Sequence, residues 1–385
     1  MSFESPHQHN DPISSLTDEL ASTSLEAIAD HVFVDKIVFN HLIFETIFDN
    51  LTPLEFMRLG RTCQRARAVV LRFVDQKFGS KINDSLMRFF DDPVAFRSLQ
   101  ARTGTLISGS TALQFFDRTS YPNSDLDLYI HPQFDRDVLL WLTDNGYTFV
   151  PEEEQPARLE DAIETGRRVS RLIAQGLGWI IPHRQGEYHF KTIQSVYSFR
   201  KPSPVENEPD IRVQCMIAVH APLEVILSFH STCVMNVISF EKAYSLYPRA
   251  TLHERRTFVN DLAPSPARQR AYQKYTERGF HLCYGTVPNS SGVDPAFPLG
   301  NRYIGDEHCW TIPLDISGVG PGCRLPRSRK PLLHDPVSAS SWRFDRHARP
   351  FDVTVYSYCT LFFRYVTIPH AVTVYAQNVP RESSL

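Results

Sequence analysis

The segment that most constrains the fold is "LISGSTALQFFDRTSYPNSDLDLYIHP", residues 106–132. It predicts a short apolar strand that ends at Gly109 and Ser110, then a helix, then a second strand. Because side chains alternate between the two faces of a strand, Asp125 and Asp127 share one face of the second strand. A strand, a helix and a strand in this order favour an α+β domain in which the helix covers a sheet.

The same segment suggests a chemistry. A helix that begins at Gly109 and Ser110 presents free backbone N–H groups and a positive dipole end, which together favour a phosphate. Asp125 and Asp127 repel each other by roughly 2–4 kcal/mol at an effective dielectric of about 20. Magnesium relieves that repulsion and can hold nucleotide phosphates at the same time. The alternative interpretation is a surface turn followed by an ordinary edge strand, since both short motifs recur by chance.

The pattern of the whole chain predicts four regions. Polar residues 1–30 predict a disordered arm, and residues 31–80 predict a helical hairpin. Strands that alternate with helices over residues 81–260 predict an α+β domain. Residues 261–385 are rich in Pro, Gly and Ser around short β-forming runs, including "VTVY" twice. This composition predicts a loop-rich, β-leaning C-terminal region.

Local signals predict where several helices begin and end. Thr52 stands three residues before Glu55, with proline between them, which is the pattern of a capping box with proline at the first helical position. A helix is predicted to begin after Asp92 and to stop at Gly104. The charged stretch 151–178 is predicted to be helical throughout.

Composition excludes some classes of protein. The 385 residues carry 40 Lys and Arg and 43 Asp and Glu, a net charge of -3, which argues against a chain coated for nucleic acid or for an anionic membrane. The seven cysteines form no CxxC pair, which argues against a zinc ribbon or a disulfide framework. No apolar run reaches the roughly 20 residues of a spanning helix. We therefore expect a soluble cytoplasmic or nuclear protein without a membrane partner.

Gly109-Ser110 followed by "DLDLYI" resembles the signature of the polymerase-β-like nucleotidyltransferase superfamily, h-G-[GS] and then [DE]-h-[DE]-h. The later "YHFKTIQSVYSFRK" and "IRVQCMIAVHAPLEVILSFHSTCVMNVIS" are similar to later strands of that family. The resemblance covers about residues 85–240. It implies a nucleotidyltransferase-like mixed sheet flanked by helices. It also implies that Asp125 and Asp127 are magnesium ligands, and that Gly109 and Ser110 contact the phosphates of a nucleoside triphosphate.

Active members of that family have a third acidic residue on a neighbouring strand. The matching positions here are Gln214 and His230, and neither is a carboxylate. Asp210 could substitute only if the chain before the strand curls back. His230 is a candidate catalytic residue, as a metal ligand or as a base. The resemblance implies magnesium-dependent transfer of a nucleotidyl group to an unknown acceptor hydroxyl, or else a pseudoenzyme that keeps the fold without the activity.

Residues 38–75 resemble an F-box, a helical motif that binds the Skp1 adaptor of ubiquitin ligases. The residues that match are Ile43, Phe44, Glu45, Ile47, Leu51, Leu54, Leu59 and Cys63. This resemblance implies an alternative function, a non-catalytic F-box-type adaptor that uses the transferase fold as a binding module. The same residues could instead pack onto a neighbouring domain. Together with the Gly-Ser and Asp-x-Asp segment, this start resembles a family of uncharacterised fungal proteins.

Two basic runs are further candidates for contacts with phosphate or RNA. "GRRVSR", residues 166–171, could reach a triphosphate if its helix borders the cleft, and "CRLPRSRK", residues 323–330, is predicted to lie in a loop. Most runs of this kind are solvated surface.

Overall fold

The computed structural model describes most of the chain from residue 40 onward. The described residues are 36, 40–122, 124–175, 192–259, 265–284, 294–320, 335–344, 351–352, 354–356 and 365–367. The predicted arm, the second "VTVY" run and the basic run at 323–330 lie outside them. The chain divides into two compact units, residues 1–73 and residues 74–385.

The described part of the first unit is helical. Its helices are α1 (His41–Asp49), α2 (Pro53–Gly60) and α3 (Gln64–Val74), the last ending on the first residue of the second unit. As the capping box predicts, α2 begins after Thr52, whose backbone N–H donates to Glu55 Oε2 at 2.6 Å. The predicted hairpin is thus three short helices, because the chain turns again between Gly60 and Gln64.

Three phenylalanines form the core of this unit. Phe48, Phe56 and Phe73 are at most 1% exposed, and their ring centroids are 5.2–5.8 Å apart. Each comes from a different helix, so the cluster ties the three helices together. On α1, Ile43 and Ile47 remain 40% and 38% exposed.

The second unit contributes the other α-helices. They are α4 (Ile82–Leu86), α5 (Pro93–Thr103), α6 (Gly109–Asp117), α7 (Asp135–Asp144), α8 (Leu159–Ala174), α9 (Pro222–Leu227) and α10 (Pro266–Glu277). Sequence signals fix α5 as predicted: Asp92 Oδ1 accepts from the Ala95 N–H at 2.9 Å, and Gly104 ends the helix in the left-handed region at φ 64°.

An eight-stranded mixed sheet is the centre of this unit. Its strands are β1 (Leu106–Ser108), β2 (Leu126–Ile130), β3 (Thr148–Val150), β4 (Ile193–Lys201), β5 (Ile211–Ala218), β6 (Asn236–Ile238), β7 (Lys242–Ser245) and β11 (Trp310–Pro313). They lie in the order β11-β7-β6-β1-β2-β5-β4-β3, and only β2 and β5 pair in parallel. The α+β class and the mixed sheet are therefore confirmed.

Smaller sheets complete the described strands. Strands β8 (Arg256–Val259) and β9 (His281–Tyr284) pair in parallel, β10 (Gly300–Tyr303), β12 (Ser341–Phe344) and β13 (Phe351–Asp352) form a three-stranded sheet, and β14 (Thr354–Tyr356) pairs with β15 (Tyr365–Thr367). The β-leaning part of the chain also supplies β11, an edge strand of the central sheet.

The predicted strand, helix and strand of residues 106–132 lie at the middle of the central sheet. Leu126, Leu128 and Ile130 are fully buried on one face of β2. Burial of three such side chains contributes about 1.5–3 kcal/mol each, which fixes the register and turns the intervening residues to the opposite face. Asp127 therefore points away from this apolar layer.

One helix is shorter than its pattern predicts. Residues 151–158 are not helical, and α8 begins only at Leu159. Pro151 and Pro156 explain the difference, because proline lacks the backbone N–H that a helix interior requires and disfavours a helical residue before it. No helix in the described ranges is long and apolar enough to span a bilayer.

Candidate functional site

A cavity of about 160 Å³ lies where the sequence motifs meet. Its walls are the start of α6, one face of strands β2 and β5, and one face of α10. Gly109, Ser110, Asp127 and His230, four of the five predicted site residues, line it. The fifth, Asp125, is the residue just before β2, two positions before Asp127, and is not part of the lining.

The parallel register of β2 and β5 arranges the sheet face in rows. Asp127 lies opposite Gln214, and Tyr129 lies opposite Met216. Before Asp127 in the chain, Asp125 forms an ion pair with Arg212 of β5. Since side chains of alternate residues share a face, the rows change from charged through polar to apolar along the sheet.

Gly109 brings the start of α6 against Asp127. Its φ of 68° lies in the left-handed region, and a Cβ built on it would clash with Asp127 Oδ2. The backbone N–H of Ser110 hydrogen-bonds to the same carboxyl. Only glycine meets both the conformational and the steric demand, so the Gly-Ser motif is what lets this acid lie on the helix start.

Asp127 is under electrostatic strain. Burial, followed by the charge of Asp125, raises its pKa to about 7, although Lys274 and the Ser110 N–H act in the opposite direction. Compared with an exposed aspartate, Asp127 is therefore shifted towards its protonated form. A bound cation would favour the ionised carboxylate.

Asp125 contacts a guanidinium without a well-directed hydrogen bond. Arg212 Nε lies 2.8 Å from Asp125 Oδ1, yet this buried oxygen has no hydrogen-bond partner of acceptable geometry among the described residues. Thr111 Oγ1 donates to the Asp125 backbone oxygen at 2.9 Å, which fixes the start of β2 against α6. The carboxylate is thus held in place while one of its oxygens is poorly satisfied.

Two cations at the end of α10, one on the helix and one just after it, were not predicted from the sequence. Lys274 lines the cavity, and burial together with the nearby charge of Arg278 lowers its pKa. The Arg278 guanidinium lies 3.6 Å from the centre of the Tyr121 ring, and its buried Nη1 has no hydrogen-bond partner among the described residues. Neither side chain has an acidic group within 4.0 Å in that part of the chain. The four-residue spacing in "KYTER" was the available signal, since such residues share a helix face.

His230 is a neutral group of this cavity. Burial, followed by the charges of Arg268 and Lys274, lowers its pKa to about 4. Its Nδ1 lies 2.7 Å from Ser231 Oγ, and its ring contacts Tyr272 and Tyr275. At neutral pH it can accept a proton only weakly, and its predicted catalytic role stays a prediction.

The residue opposite Asp127 on β5 is an amide. Gln214 faces Asp127 directly, whereas Asp210 is exposed and lies 3.9 Å from Arg200. Within the described ranges, no group of three or more His, Cys, Asp or Glu side chains could hold a metal ion.

Two arginines of the basic run on α8 pair with acids outside the cavity. Arg167 Nε donates to the buried Asp135 at 3.0 Å, and Arg171 pairs with Glu164 at 2.6 Å. Neither arginine belongs to the walls of the cavity.

The side chains that are present fit a magnesium ion that arrives with a ligand. Magnesium is commonly held by one or two carboxylates, with phosphates and water completing its octahedral shell. The unsatisfied Asp125 Oδ1 and the strained Asp127 meet that requirement. They do not form a site in which protein groups alone surround the ion.

No family model matches the chain, and neither the comparison with curated proteins nor that with solved structures returns a match.

Proposed function

We propose that the cavity binds a nucleoside triphosphate together with one magnesium ion, as a nucleotidyltransferase-like protein does. The supporting observation is that opposite charges line opposite walls. Asp127 lies on the sheet wall with Asp125 two residues before it, Lys274 lies on the α10 wall with Arg278 just after that helix, and the start of α6 also lines the cavity. A complex of a cation with a polyphosphate carries both signs of charge and matches this arrangement.

The residues have distinct roles in this proposal. Asp125 and Asp127 hold the cation, and the Ser110 hydroxyl, together with Lys274 and Arg278, holds phosphate oxygens. Magnesium bound there would neutralise charge on the α-phosphoryl of the transferred nucleotidyl group and on the pyrophosphate that leaves. Close approach of the phosphates to the chain is possible because Gly109 has no side chain.

We expect the cavity to bind a nucleotide but to catalyse transfer of its nucleotidyl group poorly. Gln214 cannot supply the negative charge of a third carboxylate, and a neutral His230 with a pKa of about 4 is a weak base at neutral pH. We therefore propose a nucleotide-binding protein that transfers a nucleotidyl group to its acceptor hydroxyl slowly or not at all.

Calorimetric titration with ATP, GTP, CTP and UTP, each with magnesium and with EDTA, tests this proposal. At least one nucleotide should bind in magnesium, and the Asp125→Asn/Asp127→Asn double variant should lose more than about tenfold in affinity, roughly 1.4 kcal/mol. Asp84→Asn/Asp210→Asn removes the same charge from two exposed acids and should bind like the wild type. Full affinity in the Asp125/Asp127 variant would refute the assignment of the metal ligands.

A second candidate function rests on the first unit. Ile43 and Ile47 are four residues apart on α1, so they form an exposed apolar pair on one face of this helix. Such a pair suits a helix-packing partner, and the F-box resemblance names a Skp1-type adaptor. We propose this adaptor role as the alternative.

Purified Skp1 and the full chain, mixed and analysed by size-exclusion chromatography, test the adaptor role. Ile43→Asp/Ile47→Asp should abolish a complex that the wild type forms. Val205→Asp, which changes a 54% exposed valine of the second unit, should leave the complex intact. Absence of any complex with the wild type would remove this candidate.

A further inference from the structure

Arg278 continues the face of α10 that lines the cavity. Ala271, Lys274 and Tyr275 are lining residues, three or four positions apart along this helix. Arg278 follows at the same spacing, and its backbone N–H still donates to the Lys274 carbonyl at 3.3 Å. Its guanidinium therefore lies one helical turn beyond the lining residues, where it meets Tyr121 in the loop between α6 and β2.

The ring beneath this guanidinium is attached to the start of α6. The centre of the Tyr121 ring lies 3.6 Å from Arg278 Cζ. The backbone N–H of Tyr121 donates to Gln114 Oε1 at 2.6 Å, and Gln114 Nε2 donates to the Ser110 carbonyl at 3.0 Å. Two hydrogen bonds thus join the tyrosine to a residue that lines the cavity.

The backbone of Arg278 is attached to the other end of the same helix. Arg255 Nη2 donates to the Arg278 carbonyl at 3.1 Å, and Arg255 Nη1 lies 2.6 Å from Oδ1 of Asp117, the last residue of α6. The position of Arg278 is therefore fixed by contacts that do not use its own side-chain N–H groups.

A ring contact differs from an ion pair in what it leaves available. A carboxylate would accept hydrogen bonds from the guanidinium and neutralise it, whereas an aromatic ring attracts the cation and accepts none of its five N–H groups in their plane. Within the described ranges the Arg278 side chain makes no hydrogen bond and no ion pair, and its Nη1 is buried. A buried donor without a partner destabilises the fold, and a phosphate oxygen would satisfy it.

We propose that Tyr121 is a positioning residue, which holds the charged and unpaired Arg278 beside the cavity for the phosphates of the nucleotide. Tyr121 itself contacts neither the nucleotide nor the cation, and it acts only through the arginine. This inference rests on the function proposed above and adds to it the residue that presents one of its phosphate-binding groups.

Calorimetric titration with ATP, GTP, CTP and UTP in magnesium tests the inference. For the nucleotide that the wild type binds, Tyr121→Leu should lose about fivefold in affinity, roughly 1 kcal/mol, as expected for the loss of a cation–π contact. Tyr121→Phe keeps the ring and should stay within about twofold of the wild type. Tyr303→Leu makes the same change at a 58% exposed tyrosine of β10 and should have no effect.

A double-mutant cycle separates positioning from a structural role of the loop. Arg278→Met, which keeps most of the apolar stem, should lose about tenfold or more in affinity. Tyr121→Leu/Arg278→Met should bind like Arg278→Met alone, because the tyrosine then has no guanidinium to hold. A further fivefold loss in the double variant would show that Tyr121 acts independently of the arginine and would overturn the inference.

The remaining outcomes distinguish this inference from the proposed function. If the wild type binds a nucleotide and Tyr121→Leu binds it equally well, or if Tyr121→Phe loses as much as Tyr121→Leu, the positioning role fails and the nucleotide site stands. If the wild type binds none of the four nucleotides, the proposed function fails and this inference fails with it. Thermal unfolding of each variant confirms that folded proteins are compared.

Discussion

The cavity and the region between β10 and β11 each contain an aspartate that is largely withdrawn from water. The pKa values of these two acids shift in opposite directions. Beside β10, Arg302 contacts both oxygens of Asp306, with Nη2–Oδ1 at 3.1 Å, and also donates to the Leu246 carbonyl at 3.0 Å. Burial opposes ionisation of Asp306, but the hydrogen bond and charge of Arg302 outweigh it and hold its pKa below the ordinary value.

In the cavity the balance is reversed. Asp127 has a neighbouring acid and, among the residues that the structure describes, no guanidinium partner, and its pKa rises to about 7. A buried acid with a two-pronged arginine partner stabilises the fold, whereas a buried acid that lacks one destabilises the fold and favours a cation. The difference separates a structural carboxylate from a candidate binding carboxylate.

The largest expected effect comes from breaking the structural pair. Arg302→Ala leaves Asp306 buried without compensation and should lower the free energy of unfolding by about 3–5 kcal/mol. Arg212→Ala, which breaks the exposed pair of the cavity, should change it by less than about 1 kcal/mol. Urea unfolding of both variants measures the contrast, and equal losses would show that the two pairs do not differ in this way.

The next largest effect is a gain in the free energy of unfolding, and its size depends on pH. Asp127 has a pKa of about 7 in the folded chain and an ordinary value of 3.8, so between these values the folded chain holds more protons than the unfolded one. Wild-type stability without metal should therefore fall as the pH rises from about 4 to about 7. At pH 8, Asp127→Asn should be more stable than the wild type by roughly 2–4 kcal/mol, and the two should converge near pH 4.

Urea unfolding in EDTA across this pH range provides the measurement. Asp210→Asn, which changes an exposed acid, controls for the loss of one charge. A difference in the free energy of unfolding between Asp127→Asn and the wild type that stays constant at all pH values would contradict the raised pKa of Asp127.

The smallest expected effect is on metal affinity, and it tests whether a third carboxylate beside Asp127 strengthens the proposed cation site. Gln214→Glu places a third carboxylate opposite Asp127 and should raise the affinity for manganese by about tenfold, roughly 1.4 kcal/mol, because carboxylates are preferred ligands of hard divalent ions. Gln175→Glu adds the same charge at an exposed position and should have little effect. An unchanged affinity in the Gln214 variant would place that side chain outside the binding geometry.

The parts of the site that lie close together in the sequence could be predicted from it. The turn requirement at Gly109 marks the start of α6, and period-two alternation turns Asp127 away from Leu126 and Leu128. Asp125, predicted on the same strand face, lies just before β2. These are local rules, so they hold before the tertiary structure is known.

The opposite wall could not be predicted in this way. Lys274 reaches the cavity, with Arg278 close enough to affect its pKa, because α10 forms the wall opposite the sheet; this depends on long-range packing that no short pattern encodes. The membership of β11 in the central sheet has the same origin. The helix predicted over residues 151–158 is a different case, because Pro151 and Pro156 are visible in the sequence and disfavour a helix there whatever the charge pattern.

The placement of Gln214 directly across from Asp127 has an evolutionary consequence. In the genetic code, glutamine and glutamate codons differ only in their first base. A single nucleotide substitution would therefore convert a two-acid cleft into a three-acid cleft without moving any strand. Under the proposed function, descendants of one ancestral gene could cross between binding a nucleotide and reacting with it in one mutational step, in either direction.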